Sequence, residues 1–370
     1  MSANIRPAGV LDTDYGQDIA LNRTRTDKLI SNGLLVLILL IPLLTVEGPF
    51  RLNILPQLWI GTIMRIAIYV IAVQGLNILV GYTGQISLGH AAFMAVGAYS
   101  SAILARELGF SFWIALPAAA LITGGVGLLF GLPSLRVKGF YLAMATLAAQ
   151  FIIPWMLRYP LEPLTNGSRP LEVPVPTLGP LSFASENAMY YIVVPLSVVL
   201  MLAARNIMRT RTGRAFISVR DNDLAAELLG INVFAYKLQA FFLSALYAGI
   251  AGALFAFDTN SLSLSNYGFP LSIEFLAMLV IGGAGFPLGP LFGVAFVNLF
   301  TQNIIPAVIP PLRDFLPGLL PFINSVNISS SLSPTLFGLV LTIFLILAPR
   351  GLAYRWEIFK IAWKIRPYSH

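Results

Sequence analysis

The sequence predicts an all-α integral membrane protein, a polytopic helical bundle of about ten transmembrane crossings with both termini cytoplasmic. Three observations carry this prediction: the composition, the spacing of apolar runs, and the placement of positive charge between them. Of 370 residues, 57% are hydrophobic and only 11% charged, and the mean hydropathy is +0.81. A soluble domain carries about 25% charged residues. A chain this apolar cannot cover a water-facing surface, so lipid is the solvent for much of it.

The apolar runs are 30–46, 66–83, 87–105, 112–133, 139–157, 188–204, 238–257, a long stretch 271–309, and 333–349. Spanning the hydrocarbon takes about 20 residues of helix. Lipid cannot satisfy unpaired backbone groups, which makes the runs helical. Strand-length alternation is absent, which argues against a β-barrel. The long stretch is interrupted by Gly282-Gly283-Ala284-Gly285-Phe286-Pro287-Leu288-Gly289-Pro290. Glycine and proline at that density do not continue a straight helix. A turn is predicted there, joining 271–283 to 288–305, with the first piece short enough to be re-entrant. A tight hairpin and a discontinuous helix lining a pathway both fit that break.

Charge sets the orientation. Segment 203–237 carries Arg205, Arg209, Arg211, Arg214, Arg220 and Lys237 against Asp221, Asp223 and Glu227. Segment 350–370 carries Arg350, Arg355, Lys360, Lys364 and Arg366 against Glu357, and the link 134–138 carries Arg136 and Lys138. The connection 159–186 is acidic, with Glu162, Glu172 and Glu186 against Arg169. The positive-inside rule puts the first three in the cytoplasm and the last outside. Arg23, Arg25 and Lys28 place the N-terminus inside as well. The crossing number is then even, which assigns two crossings to 271–309. The arm 1–28 is too long and too acidic for the basic start of a cleaved signal peptide, so the first run is read as a retained span. The expected organisation is a cytoplasmic arm 1–28, a transmembrane domain 29–349 with a cytoplasmic loop 205–237, and a basic cytoplasmic tail 350–370.

Several chemistries are excluded. There is no cysteine, which removes disulfides, thiolate metal sites and cysteine nucleophiles. His90 and His370 are the only histidines, too few for a multi-histidine zinc site. The net charge of +7 reflects cytoplasmic Lys and Arg rather than nucleic-acid binding. Ser87 and His90 stand three apart, but a serine hydrolase also needs an oxyanion hole and an orienting group, and nothing supplies them. No catalytic residue, cofactor or metal is predicted. Asn77, Gln85, Ser87 and His90 are read either as pathway residues, or as helix–helix hydrogen bonds or a turn at the membrane edge. Gln150 and Gln239 are read as helix–helix bonds, and Arg65 as snorkelling from the outer edge of its span. Asp258 and Glu274 bracket an external loop, 258–270. No acid sits mid-span, which weighs against an ion-coupled carrier.

The cytoplasmic loop holds a short amphipathic helix, 221–232. Asn222 or Asp223 suits its N-cap, Leu224 and Leu228 recur at i and i+4, and Gly230 suits the position just past its end. A helix this short is marginal in water, so it leans on the chain's own spans or on a soluble partner.

The run Ala225-Ala226 followed by Gly230 resembles the coupling motif of ABC importer permeases. A wider set resembles the branched-chain amino acid permease family: 75–93 (Gly75-Leu76-Asn77 through Ala91-Ala92-Phe93), Gly97-Ala98-Tyr99, 136–147 (Arg136-Val137-Lys138 onward), Asn166-Gly167-Ser168, and Ile281-Gly282-Gly283-Ala284-Gly285. The likeness runs from about Ile66 to about Gly351. The general motif begins with glutamate where this chain has Leu224, and 165–170 is more basic and less glycine-rich than in many relatives. The resemblance implies that Arg214, Asp223, Leu224, Ala225, Ala226, Glu227, Leu228 and Gly230 couple to an ATPase. It also implies a second permease subunit, two ATP-binding subunits and an external solute-binding protein. The chain has no G-x-x-x-x-G-K-[ST] phosphate loop, so any ATPase is another polypeptide. The expected function is import of branched-chain or related amino acids across the bacterial inner membrane. Urea or short amides, and an ion-coupled secondary transporter, are the alternatives.

Overall fold

The computed structural model describes residues 33, 40–44, 58–134, 140–178, 181–310 and 325–365. The arm 1–28, most of the run 30–46 and the link at Arg136 and Lys138 lie outside the described residues.

Helix α1 (Leu58–Leu76) continues through a wider, π-type turn, Asn77–Tyr82. The chain then doubles back. His90 Nε2 donates to the carbonyl of Ala72 at 2.8 Å. A carbonyl only accepts, so Nε2 is the protonated ring nitrogen. Ala72 precedes Tyr82 by ten residues, about 15 Å of helix. The stretch 83–89 therefore re-enters the bundle, and α2 (His90–Arg106) begins inside it. Helices α3 (Phe112–Ser134), α4 (Phe140–Arg158) and the single turn α5 (Glu162–Thr165) follow.

Three two-residue strands come next: β1 (Leu171–Glu172), β2 (Thr177–Leu178) and β3 (Leu181–Ser182). Helix α6 (Glu186–Arg209) is capped by Ser185, whose Oγ accepts from Ala188 N. The loop helices α7 (Arg211–Asp221) and α8 (Asp223–Leu228) lead to α9 (Val233–Thr259), whose cap is Asn232. Strand β4 (Ser261–Leu262) pairs antiparallel with β1, Leu171 opposite Leu262. The connection 159–186 and the loop after α9 thus share one end of the molecule.

Helix α9 is the centre. It packs on α1, α2 and α3, and its span is 78% buried against 28% for Gly289–Pro310. Lipid is as apolar as leucine, so helices in a membrane gain by close backbone contact at small residues. A Cβ added to Gly252 would stand 2.0 Å from the carbonyl oxygen of Met94, and one on Gly97 2.3 Å from that of Gly249. The α2 and α9 backbones touch, and any side chain there would separate them.

Helices α10 (Phe269–Gly282) and α11 (Gly289–Leu299) form the expected hairpin, Gly282 lying against Gly289 and Met278 against Gly293. A π-type turn, Phe300–Ile304, extends α11 to residue 310. Helix α12 (Ser325–Leu347) meets α13 (Gly351–Ile365) at a 43° bend. Among the described residues six helices are long and apolar enough to cross a membrane, seven if the bent pair is one span. Helix α2, with 17 residues, and α10, with 14, fall short of that length.

Candidate functional site

Two backbone breaks lie within the bundle, and the buried polar residues gather at them. The first is the start of α2. The leading N–H groups of a helix have no partner within it. Here Ala91 N donates to Ser272 Oγ (2.9 Å) and Ala92 N to Gln150 Oε1 (3.0 Å). Just before the helix, Leu88 N donates to Thr146 Oγ1 (3.0 Å). Ser272 Oγ donates in turn to Gln150 Oε1 (2.8 Å), and Gln150 Nε2 to the carbonyl of Tyr267 (2.9 Å). One glutamine thus joins α2, α4, α10 and the loop after β4.

The second break is the α10–α11 turn. Asn77 projects from the π-type end of α1 and bonds two successive residues of that turn. Its Oδ1 accepts from Gly285 N (2.8 Å), and its Nδ2 donates to Phe286 O (3.0 Å). Gly81 is required beside it: a Cβ there would stand 2.1 Å from Asn77 Oδ1 and 2.4 Å from Gly285 N. The α12–α13 bend closes on the same turn, with a Cβ on Gly351 falling 2.4 Å from Gly283 Cα. From the loop, Arg220 Nη1 donates to Gly81 O (3.0 Å), while its Nε and Nη2 bond Asp221 Oδ1 at 3.1 and 3.0 Å.

Asn77, Gln85, Ser87 and His90 are all buried, at 3% exposure or less. They do not form one constellation. Asn77 serves the second break, His90 bonds α1, and Gln85 Nε2 donates to Thr83 Oγ1 at 3.0 Å. Ser87 Oγ and His90 Nδ1 have no hydrogen-bond partner, so they do not bond each other and form no nucleophile–base pair. Gln150 is the helix–helix bond the sequence suggested, whereas Gln239 and Arg65 face outward. No metal-binding group of side chains occurs among the described residues.

In the basic loop 205–237, Asn222 is extended (φ −160°, ψ 109°) and divides the expected 221–232 helix. Asp221 ends α7, and α8 keeps six residues, with Asn222 Oδ1 accepting from Ala225 N at 3.1 Å. Asp223 is paired with Lys237 of α9 at 2.5 Å. Ala226 faces inward and is 2% exposed. Leu224, Leu228 and Leu229 are 64%, 89% and 80% exposed, so they do not lean on the chain's own spans. Ala225, Glu227 and Arg214 are exposed as well. Gly230 has φ +83°, the left-handed turn that ends α8.

Residues 58–348 match the family described as branched-chain amino acid transport system / permease component. The chain belongs to that family. This permease is 36% identical over 242 residues to LivM, the high-affinity branched-chain amino acid transport system permease protein, of both Salmonella typhimurium and Escherichia coli. The match covers 59% of the chain and 57% of LivM, so the chain aligns with little more than half the length of that relative. It is 24% identical over 249 residues to the nucleoside ABC transporter permease protein NupC of Lactococcus lactis, covering 62% of the chain and 77% of NupC. No solved structure matches it.

Family membership and the several helices long and apolar enough to cross a membrane fit a multi-pass membrane protein. Sequence reasoning passed over two residues that hold these breaks. Ser272 carried no signal, being one serine in an apolar run. Arg220 stood among six basic residues of a loop that orientation alone explained, and only the fold sets it against Gly81.

Proposed function

We propose that this permease is a transmembrane subunit of a binding-protein-dependent ABC importer for branched-chain or related amino acids in a bacterial inner membrane. It pairs with a second permease subunit, two cytoplasmic ATP-binding subunits and an external solute-binding protein. Both termini are cytoplasmic and the chain crosses about ten times. The α8 segment, with Arg214, Asp223, Leu224, Ala225, Ala226, Glu227, Leu228 and Gly230, engages the ATPase. Asn77, Gln85, Ser87 and His90 lie along the pathway.

The family supports the class of transporter, and the likeness to LivM supports the substrate class. The observation that carries the coupling assignment is the pair of faces on α8. Ala226 anchors it inward while Leu224 and Leu228 stand in the open. Apolar side chains held away from their own fold are a docking surface. Energy then enters from outside, as a chain without a phosphate loop requires.

The test is reconstitution of the full complex in vesicles. Leucine uptake should require ATP and loaded binding protein, and Gly230→Val should abolish it without lowering membrane abundance. Uptake by the purified permease alone, driven by a proton or sodium gradient, would overturn the reading. Uptake of a nucleoside in place of leucine would keep the class and change the substrate. Orientation is tested separately: Ser185→Cys and Arg209→Cys, in this cysteine-free chain, should label from opposite sides with an impermeant thiol reagent.

A further inference from the structure

We propose that Arg220 is a positioning residue that latches the cytoplasmic loop to the α10–α11 turn, so that displacement of α8 is passed to that turn. The inference rests on the reading of α8 as the ATPase contact and goes beyond it, by naming where the displacement arrives.

The contacts form an unbroken series. Helix α8 meets α7 at Asn222, two residues beyond Arg220. The Arg220 stem lies on Gly84, where an added Cβ would stand 3.0 Å from Arg220 Cγ. Its Nη1 bonds the carbonyl of Gly81 and is 3.2 Å from the position a Cβ on Gly285 would take. Gly81 and Gly285 are in backbone contact, and Asn77 ties Gly285 and Phe286 to α1. Arg220 is thus the side chain that joins the loop directly to the α10–α11 turn, alongside the packing of α7 on α6, α9 and the π-type turn at Asn77–Tyr82.

Exposure separates the latch from its support. Asn77 is 0% exposed, and its bonds cannot open without stranding its own buried amide. The Arg220 side chain is 38% exposed, so water can replace its bond to Gly81 as the loop moves. Asp221, bonded by the same guanidinium, keeps the fork aimed when one arm lets go. The arrangement has a fixed half and a releasable half, which is what a two-position contact needs.

The experiment uses the full complex with its ATPase and binding protein. Loss of a charge-assisted hydrogen bond should lower leucine transport by about tenfold or more in Arg220→Gln. Basal ATP hydrolysis should persist while its stimulation by loaded binding protein is lost, and Arg220→Lys should restore part of that stimulation. A second measurement does not depend on activity. A Cβ at residue 84 would lie 3.7 Å from the Cβ of Arg220, within the range of a disulfide, so Gly84→Cys/Arg220→Cys can be cross-linked. The bond should form on oxidation of the nucleotide-free complex and form poorly when ATP and vanadate hold the ATPase closed. Wild-type transport and stimulation in Arg220→Gln, with transport lost in Gly230→Val, would overturn the latch and leave the coupling assignment standing. Wild-type behaviour in both variants would overturn the coupling assignment itself. A disulfide yield that ignores nucleotide, with Arg220→Gln and Arg220→Lys both missing from the membrane, would make Arg220 a fixed brace and overturn the latch.

Discussion

At the start of α2 the loose backbone groups are tied by Gln150, Ser272 and Thr146, all buried between helices. At the α10–α11 turn Gly285 N and Phe286 O are tied by buried Asn77, but the adjoining carbonyl of Gly81 is held by Arg220, which reaches in from the exposed end of α7. Both breaks satisfy the rule that irregular backbone inside a membrane domain must find partners in protein. They differ in who holds the partner. The first is closed by the bundle alone and can only be stable or unstable. The second is held in part by an exposed side chain, which is what the proposed latch uses.

The predictions test that division, beginning with the largest effect on stability. Gln150→Leu removes the acceptor for Ala92 N and Ser272 Oγ and the donor to Tyr267 O. Each stranded group costs about 1–3 kcal/mol. Ala92 N keeps a bond to Gly89 O, so the expected loss is about 2–4 kcal/mol. A fall of several degrees in Tm of the purified permease, with activity lost only as folded protein is lost, checks it. An unchanged Tm would remove the first break's claim to a structural role. Asn77→Leu strands two backbone groups at the second break that are only partly buried, so the total cost should be smaller, about 1–3 kcal/mol. Here transport per folded molecule should fall as well, and a loss explained entirely by abundance would make the two breaks alike. Leu228→Asp, at a side chain 89% exposed, should leave stability within about 0.5 kcal/mol while weakening capture of the ATPase in a pull-down. The smallest effect belongs to Gln239→Leu. That glutamine faces outward, so both Tm and uptake should stay at wild-type values.

The contrast between Gln150 and Gln239 shows what the sequence could convey. Both are single glutamines in apolar runs and drew the same reading, yet one joins four elements and the other joins none of them. Hydropathy marks that a residue is in a span, and not which way it points. The helical runs themselves were legible because lipid leaves the backbone no other choice, and the cap of α8 was legible because Asn222 and Gly230 act on their neighbours in the chain. The turn at 283–288 was legible for the same local reason. The re-entry of 83–89 was not. It depends on Gln150, Thr146 and Ser272, which lie 58 to 181 residues further along. The pairing of Arg220 with Gly81 spans 139 residues and leaves no periodic trace.

The length of α10 has a consequence for the lipid around it. Fourteen residues of helix measure about 21 Å, against about 30 Å of hydrocarbon in an ordinary bilayer. Part of this short helix faces outward, with Ile273 43% exposed. Where that face meets lipid, the apolar girdle is narrower than the hydrocarbon, and acyl chains compress or tilt to meet it. The strain grows with lipid chain length, by fractions of a kcal/mol per Å. Bilayer thickness is therefore a variable to which this side of the permease responds, and thin bilayers are its natural match.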